Sequence, residues 1–206
     1  MKRISGTKAV VVQLRPGRGQ RKAAGTGARS RSPKTVREHE AHMLASAVYA
    51  EMSASNDTRV GALLVKDGNV LSIGCNGTPP GWNNATEHAN GRTVEWLCHA
   101  EANAIDKLAA GGGGARGATL YCVYSPCEQC ALQIIRARVA QVVYLIPFWK
   151  GRGLKWLKKS LIKTVQLDES VLKRVESIAG YQYRRGRECA PVILGACDCA
   201  AHRGAA

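Results

Sequence analysis

Two short segments carry residue types that do chemistry together: His99-Ala100-Glu101 and Pro126-Cys127-Glu128-Gln129-Cys130. Cysteines three apart share one face of a helix, so Cys127 and Cys130 can reach a single ion. A helix N-terminus favours thiolate, and Pro126 is suited to the first position of such a helix. A histidine from a second helix then makes a Cys₂His zinc site with one position open, the arrangement of a site that does chemistry rather than one that only holds structure. His99 and Glu101 lie two residues apart, and on a regular helix their side chains would diverge by about 200°. Both can serve one centre only if the metal lies off the helix N-terminus, which makes Glu101 a neighbour of bound water and a general acid and base. Either half alone is weak, since Cys-x-x-Cys also marks structural zinc and redox pairs. The combination points to a catalytic zinc.

Those segments need a scaffold, and the pattern around them supplies one. Thr35 and Glu38 form a capping box before Ala41, Leu44, Ala45, Val48 and Met52 at helical spacing, which predicts a helix over about 36–53. Val60 to Val65 and Val70 to Cys75 read as strands of a hairpin joined through Asp67-Gly68. The stretch from Asn76 to Glu95 has Gly, Pro and Asn punctuation and no period, so it is a loop. A helix starting near Cys98 or His99 stops at the Gly111 to Gly114 run. Ala118 to Tyr124 is a strand, Pro126 to about Arg138 a helix and Gln141 to Ile146 a strand, an order that implies a parallel pair with a right-handed crossover. Leu154 to Lys159 reads as helix, Leu161 to Leu167 as strand and Ser170 to Ile178 as helix. The sum is an α/β domain with a mixed central sheet and helices on both faces.

Charge divides the chain unevenly. The formal net charge is +15, yet residues 1–37 hold eleven of the 30 Lys and Arg and no acid, leaving 19 basic against 15 acidic residues beyond them, a net of +4. Residues 1–33 read as a basic, disordered extension, suited to targeting or to phosphate contacts, with the catalytic domain over 34–180 and a Cys-containing tail over 181–206. No run approaches the roughly 20 apolar residues of a membrane span, which predicts a soluble, cytoplasmic protein with no membrane partner. Three of the eight cysteines, Cys75, Cys98 and Cys122, lie in or beside apolar runs as small hydrophobes. Cys189, Cys197, Cys199 and His202 invite a second metal, but Cys-x-Cys with a nearby His is a poor match to common zinc spacings.

His-x-Glu followed by Pro-Cys-x-x-Cys is the zinc-deaminase pattern. Over about residues 40 to 167 the chain resembles the cytidine and deoxycytidylate deaminase superfamily, most closely its dCMP deaminases. The resemblance runs through Arg59-Val60-Gly61-Ala62, the segment Gly74 to Gly81, Cys98 to Ile105 and Ser125 to Ala131. It implies a three-layer α/β/α cytidine deaminase-like fold, Zn²⁺ on His99, Cys127 and Cys130, and hydrolysis of dCMP to dUMP for pyrimidine deoxynucleotide synthesis. Glu101 would move protons to ring N3 and to the departing amine while activated water attacks C4. Asn76 would contact sugar and base, the Ala100 amide the base carbonyl, and the Ser125 backbone the amine. Arg59, Lys150 and Arg152 are candidates for the substrate phosphate, with Tyr144 beside them. Relatives add a homo-oligomer, often a hexamer, and regulation by dCTP and dTTP. Several carry a longer insertion with extra zinc ligands; here that loop is short with His88 as its only histidine, so one zinc is expected. Two rival readings are a tRNA adenosine deaminase, which would use the basic leader, and a nucleic-acid-binding module with a structural zinc. Few aromatics and a barely basic body argue against a single-strand editing enzyme.

Overall fold

Asp67 and Gly68 both take positive φ, 51° and 78°, as a two-residue hairpin turn requires, and they join β1 (Gly61–Lys66) to β2 (Asn69–Cys75). The computed structural model describes residues 33–56, 58–148, 152–179 and 183. β3 (Thr119–Tyr124) pairs antiparallel with β1, and β4 (Gln141–Ile146) and β5 (Lys163–Gln166) continue the sheet in parallel. The order is β2-β1-β3-β4-β5, the mixed sheet read from the sequence.

Alternation along the strands feeds two cores. Leu64, Leu120, Cys122 and Val142 face α2 (Ala100–Ala110), α3 (Glu128–Arg136) and α4 (Arg152–Lys159), with Ala104, Ile134 and Leu157 as helix contributions. Leu63, Val123, Val143 and Val165 face α1 (Pro33–Ala50) and α5 (Glu169–Ala179), which supply Met43, Ala47, Leu172 and Val175. Helices thus cover both faces of the sheet, as the three-layer expectation requires. Burial of Cys122 pushes its thiol well above the ordinary range, so it packs as an uncharged small hydrophobe. Cys75 and Cys98 are half-buried.

The predicted apolar stripe of α1 is displaced in part: Leu44 and Ala45 pack half-buried against the core, but the rest of the stripe does not. Val48 and Met52 are 49% and 68% exposed, whereas His39, Met43, Ser46, Ala47 and Ala50 form the buried face. Two contacts set that rotation. A Cβ on Gly61 would run into the Ser46 carbonyl, so α1 approaches β1 along its small residues, and His39 Nδ1 shares a 2.8 Å hydrogen bond with the Tyr121 hydroxyl of β3. Large apolar side chains at 46 and 50 would hold the helix farther off. The helix also ends at Ala50 rather than Ser53, because the N–H groups of Glu51, Met52 and Ser53 turn back to Val48, Tyr49 and Ala50. Side-chain capping by Thr35, like the Cys189, Cys197, Cys199 and His202 group, lies outside the described residues.

Two ties fix α2 against the end of β2. Asn103 Nδ2 donates to the Cys75 carbonyl at 2.7 Å, and Gly74 lets the helix backbone at Ala100 and Ala104 approach where any Cβ would collide. No helix among the described residues is long and apolar enough to cross a membrane.

Candidate metal centre and cleft

His99 and Cys127 are the N-cap residues of α2 and α3, both in extended backbone conformation, φ −72° and ψ 155° for His99 and φ −68° and ψ 177° for Cys127. Neither side chain caps its helix, the usual work of Ser, Thr, Asp or Asn at this position. Both are turned instead toward one point. His99 Nδ1 lies 3.3 Å from Cys130 Sγ and 3.6 Å from Cys127 Sγ, and all three ligand atoms fall within 4.8 Å of one another. Zinc bonds of about 2.3 Å to sulfur and 2.0–2.1 Å to nitrogen, at tetrahedral angles, separate S and N by about 3.5 Å. The donor set therefore fits zinc in type, number and spacing. Among the described residues it is the one cluster of metal-ligating side chains with this closeness.

Pro126 sits one residue before the N-cap, not at the first helical position, and leaves Cys127 to start the helix with Cys130 one turn in. Gly153 permits this corner to be covered: the start of α4 packs against the carbonyls of Pro126 and Cys127 with no room for a side chain. Arg152 Nε pairs with Glu128 Oε1 at 2.9 Å on the same corner. The two helix N-termini converge on the ligands, and their positive ends favour thiolate. Burial works against charge on His99, but hydrogen bonding to Cys127 and the charge of that thiolate outweigh it, and the imidazole is pushed up to about 9.

Glu101 shares the centre because His99 is not helical. The divergence expected of residues two apart on a helix does not apply when the first is an extended N-cap, and both His99 and Glu101 line one cleft of about 520 Å³, its solvent-filled mouth included. Glu101 is 6% exposed, and this burial, only partly offset by His99, raises its carboxyl above the usual range. A carboxyl beside the ligand cluster and facing the cleft stands where a general acid and base must stand. The first intrahelical bond of α2 runs from Asn103 N to His99 O at 2.9 Å, so the Ala100 N–H has no carbonyl within the helix to serve. Ala100 lines the same cleft.

The cleft lies at one edge of the sheet, where the ends of β2, β3 and β4 meet the start of β1. Tyr124 and Ser125 follow β3, and Phe148 follows β4. Ser125 donates its N–H to Ile146 O (2.8 Å), its Oγ accepts the Phe148 N–H (2.7 Å), and the residue lines the cleft. Asn76 lines the cleft, but its amide also braces the loop beside it: Oδ1 accepts from Val60 N and Nδ2 donates to Thr58 O, each at 2.8 Å.

The structure leaves Arg59 and Tyr144 outside the cleft lining. Arg59 reaches Glu51 at 2.6 Å and the Ser55 carbonyl at 3.3 Å, toward the end of α1. Tyr144 sits in the core with Cys122 and Val142, because strand alternation sends position 144 to the α2 and α3 face. Lys150 lies outside the described residues. The sequence reading missed Ser55, Thr58, Thr93, Leu97, Tyr124 and Phe148, which complete the walls. Phe148, the only Phe of the chain, directly after a strand end, was the one legible signal among them.

The chain matches the family model described as the cytidine and deoxycytidylate deaminase zinc-binding region over residues 36–146. It is 30% identical over 114 residues to the deoxycytidylate deaminase of Homo sapiens, which covers 52% of this chain and 63% of the human one, so the match spans under two thirds of that relative. A probable deoxycytidylate deaminase of Drosophila melanogaster is 32% identical over 139 residues, 61% of this chain and 68% of that one. Among solved structures, the dCMP deaminase of cyanophage S-TIM5 in complex with dCMP and dUMP is 31% identical with a TM-score of 0.62, covering 67% of this chain and 100% of that one.

Proposed function

Because the chain belongs to the cytidine and deoxycytidylate deaminase zinc-binding family, we propose that it hydrolyses dCMP to dUMP and ammonia. The observation that carries this reading is that Glu101, His99 and Cys127 line a single cleft, with Cys130 completing the ligand cluster behind them, beside backbone groups able to hold a pyrimidine. The choice of dCMP is supported by the relatives and by the Asn76 to Gly81 segment, and the deaminases named above share it as substrate in their descriptions.

His99, Cys127 and Cys130 would hold zinc, which when bound supplies a Lewis acid that makes water a nucleophile near neutral pH. The chain's own residues do the rest. Ala100 N–H holds the base carbonyl and the Ser125 carbonyl accepts from the 4-amino group, which sets C4 at the centre. Glu101 takes a proton from the attacking water and places it on N3. It then carries the second proton to the amine, which leaves as ammonia while the C4 oxygen remains as the new carbonyl. Burial of Glu101 raises its carboxyl above the usual range, which favours the proton-carrying form this shuttle needs for part of its cycle. Participation in pyrimidine deoxynucleotide synthesis, a homo-oligomeric assembly and control by dCTP and dTTP extend this reading. Effector titration and size-exclusion chromatography test the last two.

The deciding assay offers purified, zinc-loaded protein dCMP, dCTP, cytidine, free cytosine and a tRNA anticodon hairpin and follows ammonia release. Turnover of dCMP with none of the hairpin is the expected result. Activity confined to the hairpin would replace this reading with that of an RNA adenosine deaminase.

A further inference from the structure

We propose that Glu87 is a positioning residue that fixes Ser55 as a hydrogen-bond acceptor toward the cleft, so that this wall recognises a sugar hydroxyl. The proposal rests on the nucleotide-deaminase reading above.

Ser55 is 3% exposed, and the little surface it keeps lines the cleft. Its hydroxyl has one proton and two lone pairs. The proton goes to Glu87 Oε1 at 2.8 Å, and one lone pair accepts the Thr58 N–H at 3.2 Å. What remains to a ligand is a single acceptor site. Glu87 cannot reverse this polarity, because a carboxylate only accepts, and its other oxygen takes the Thr86 hydroxyl proton at 2.6 Å. The carboxylate is itself held in place: the backbone of Glu87 pairs with Thr93 across the loop, and Val94 N donates to Thr86 O at 3.1 Å.

A wall bearing serine and threonine invites assignment to phosphate, which needs donors. Here the Ser55 hydroxyl proton and the Thr58 N–H are already committed, so Ser55 itself offers an anion no donor. An anion would face the Ser55 lone pair and be repelled. A neutral hydroxyl donor fits, and a 2′-deoxynucleoside 5′-monophosphate offers one such sugar group, its 3′-hydroxyl. With C4 of the ring at Glu101, the sugar lies toward the remaining walls of the cleft, to which Ser55 belongs. No side chain of the catalytic set takes part in this contact, which places the acceptor for the 3′-hydroxyl on Ser55 and its carboxylate support.

The test compares kcat/KM for dCMP and for 2′,3′-dideoxycytidine monophosphate in the zinc-loaded protein. Loss of one hydrogen bond to a buried acceptor should lower the dideoxy substrate roughly tenfold in the wild type. Ser55→Ala and Glu87→Ala should each bring the ratio close to one, while Glu87→Gln, whose amide oxygen can still accept from Ser55, should keep most of it. The ratio is internal to each protein, so a variant that only folds less well lowers both substrates alike and leaves the ratio as in the wild type. A wild-type ratio near one, or an unchanged ratio in both alanine variants, overturns the assignment. Absence of any dCMP turnover by the wild type overturns the deaminase reading beneath it, and is seen before any ratio is formed.

Discussion

The side-chain oxygen of Asn76 accepts the backbone N–H of Val60 at 2.8 Å, while its amino group donates to the carbonyl of Thr58 at the same distance. One amide thus closes the chain reversal between the end of β2 and the approach to β1, and the Ser53 hydroxyl reinforces it through the Asn76 carbonyl at 2.8 Å. The resemblance implies a substrate contact for Asn76; the geometry adds a structural task that precedes it. Asn76→Ala leaves the buried Thr58 carbonyl and the half-buried Val60 N–H without these partners and should cost about 2–4 kcal/mol. Asn76→Asp should not rescue it, because an oxygen would face the Thr58 carbonyl. Urea denaturation of the three proteins checks this, and an Asp variant as stable as the wild type would remove the Thr58 contact from the account.

Glu101→Gln preserves shape and the zinc ligands but cannot take up a proton from water. One zinc per chain with turnover reduced at least about 100-fold is the expected outcome, read by metal analysis and ammonia release. Near-wild-type turnover would place the proton shuttle on another residue.

The zinc set was legible because its chemistry depends on spacing along two short segments, and spacing survives in a sequence. The order of strands and helices was legible for the same reason: periodicity and turn residues such as Asp67-Gly68 are local. The face of α1 was not, because its rotation is decided by Gly61 and Tyr121, residues distant in sequence whose contacts reward small and polar side chains at positions 39, 46 and 50. The same limit applied to Arg59 and Tyr144. Adjacency to Val60-Gly61-Ala62 suggests Arg59 and proximity to strand ends suggests Tyr144, yet an ion pair to Glu51 and the parity of β4 send their side chains elsewhere. Ser55 and Thr93 escaped notice because they come from loops without a period, and only the fold brings them to one wall.

Chelation should destabilise the fold as well as stop the reaction. The ligands join the N-termini of α2 and α3, adding to the shared core packing and the Gln133 to Asp106 hydrogen bond at 2.6 Å. Each kcal/mol of metal-linked stability shifts Tm by roughly 2–4 °C in a chain of this size. A lower Tm that zinc restores is expected, with Cys130→Ser well below one zinc per chain. A Tm indifferent to chelator in a protein that demonstrably lost its metal would separate the site from the stability of the domain.

Gly74 joins the scaffold to the chemistry most directly. A Cβ there would strike the Ala100 carbonyl and the backbone of Ala104, neither of which can swing away as a side-chain tip would. Gly74→Ala must therefore push α2 off β2 and strain the Asn103 to Cys75 hydrogen bond, carrying Ala100 and Glu101 away from α3. Overpacking of this kind costs about 1–3 kcal/mol. The control is Gly68→Ala, at φ +78° with nothing within 4 Å of the added carbon, which bears only the cost of a left-handed backbone, about 1–2 kcal/mol. The two variants should lose comparable stability, but only Gly74→Ala should lose kcat disproportionately, because only there does relief of the clash displace the helix that presents Glu101. Thermal unfolding together with kcat on both proteins decides it: equal kcat at equal stability loss would show that the α2 position tolerates the shift.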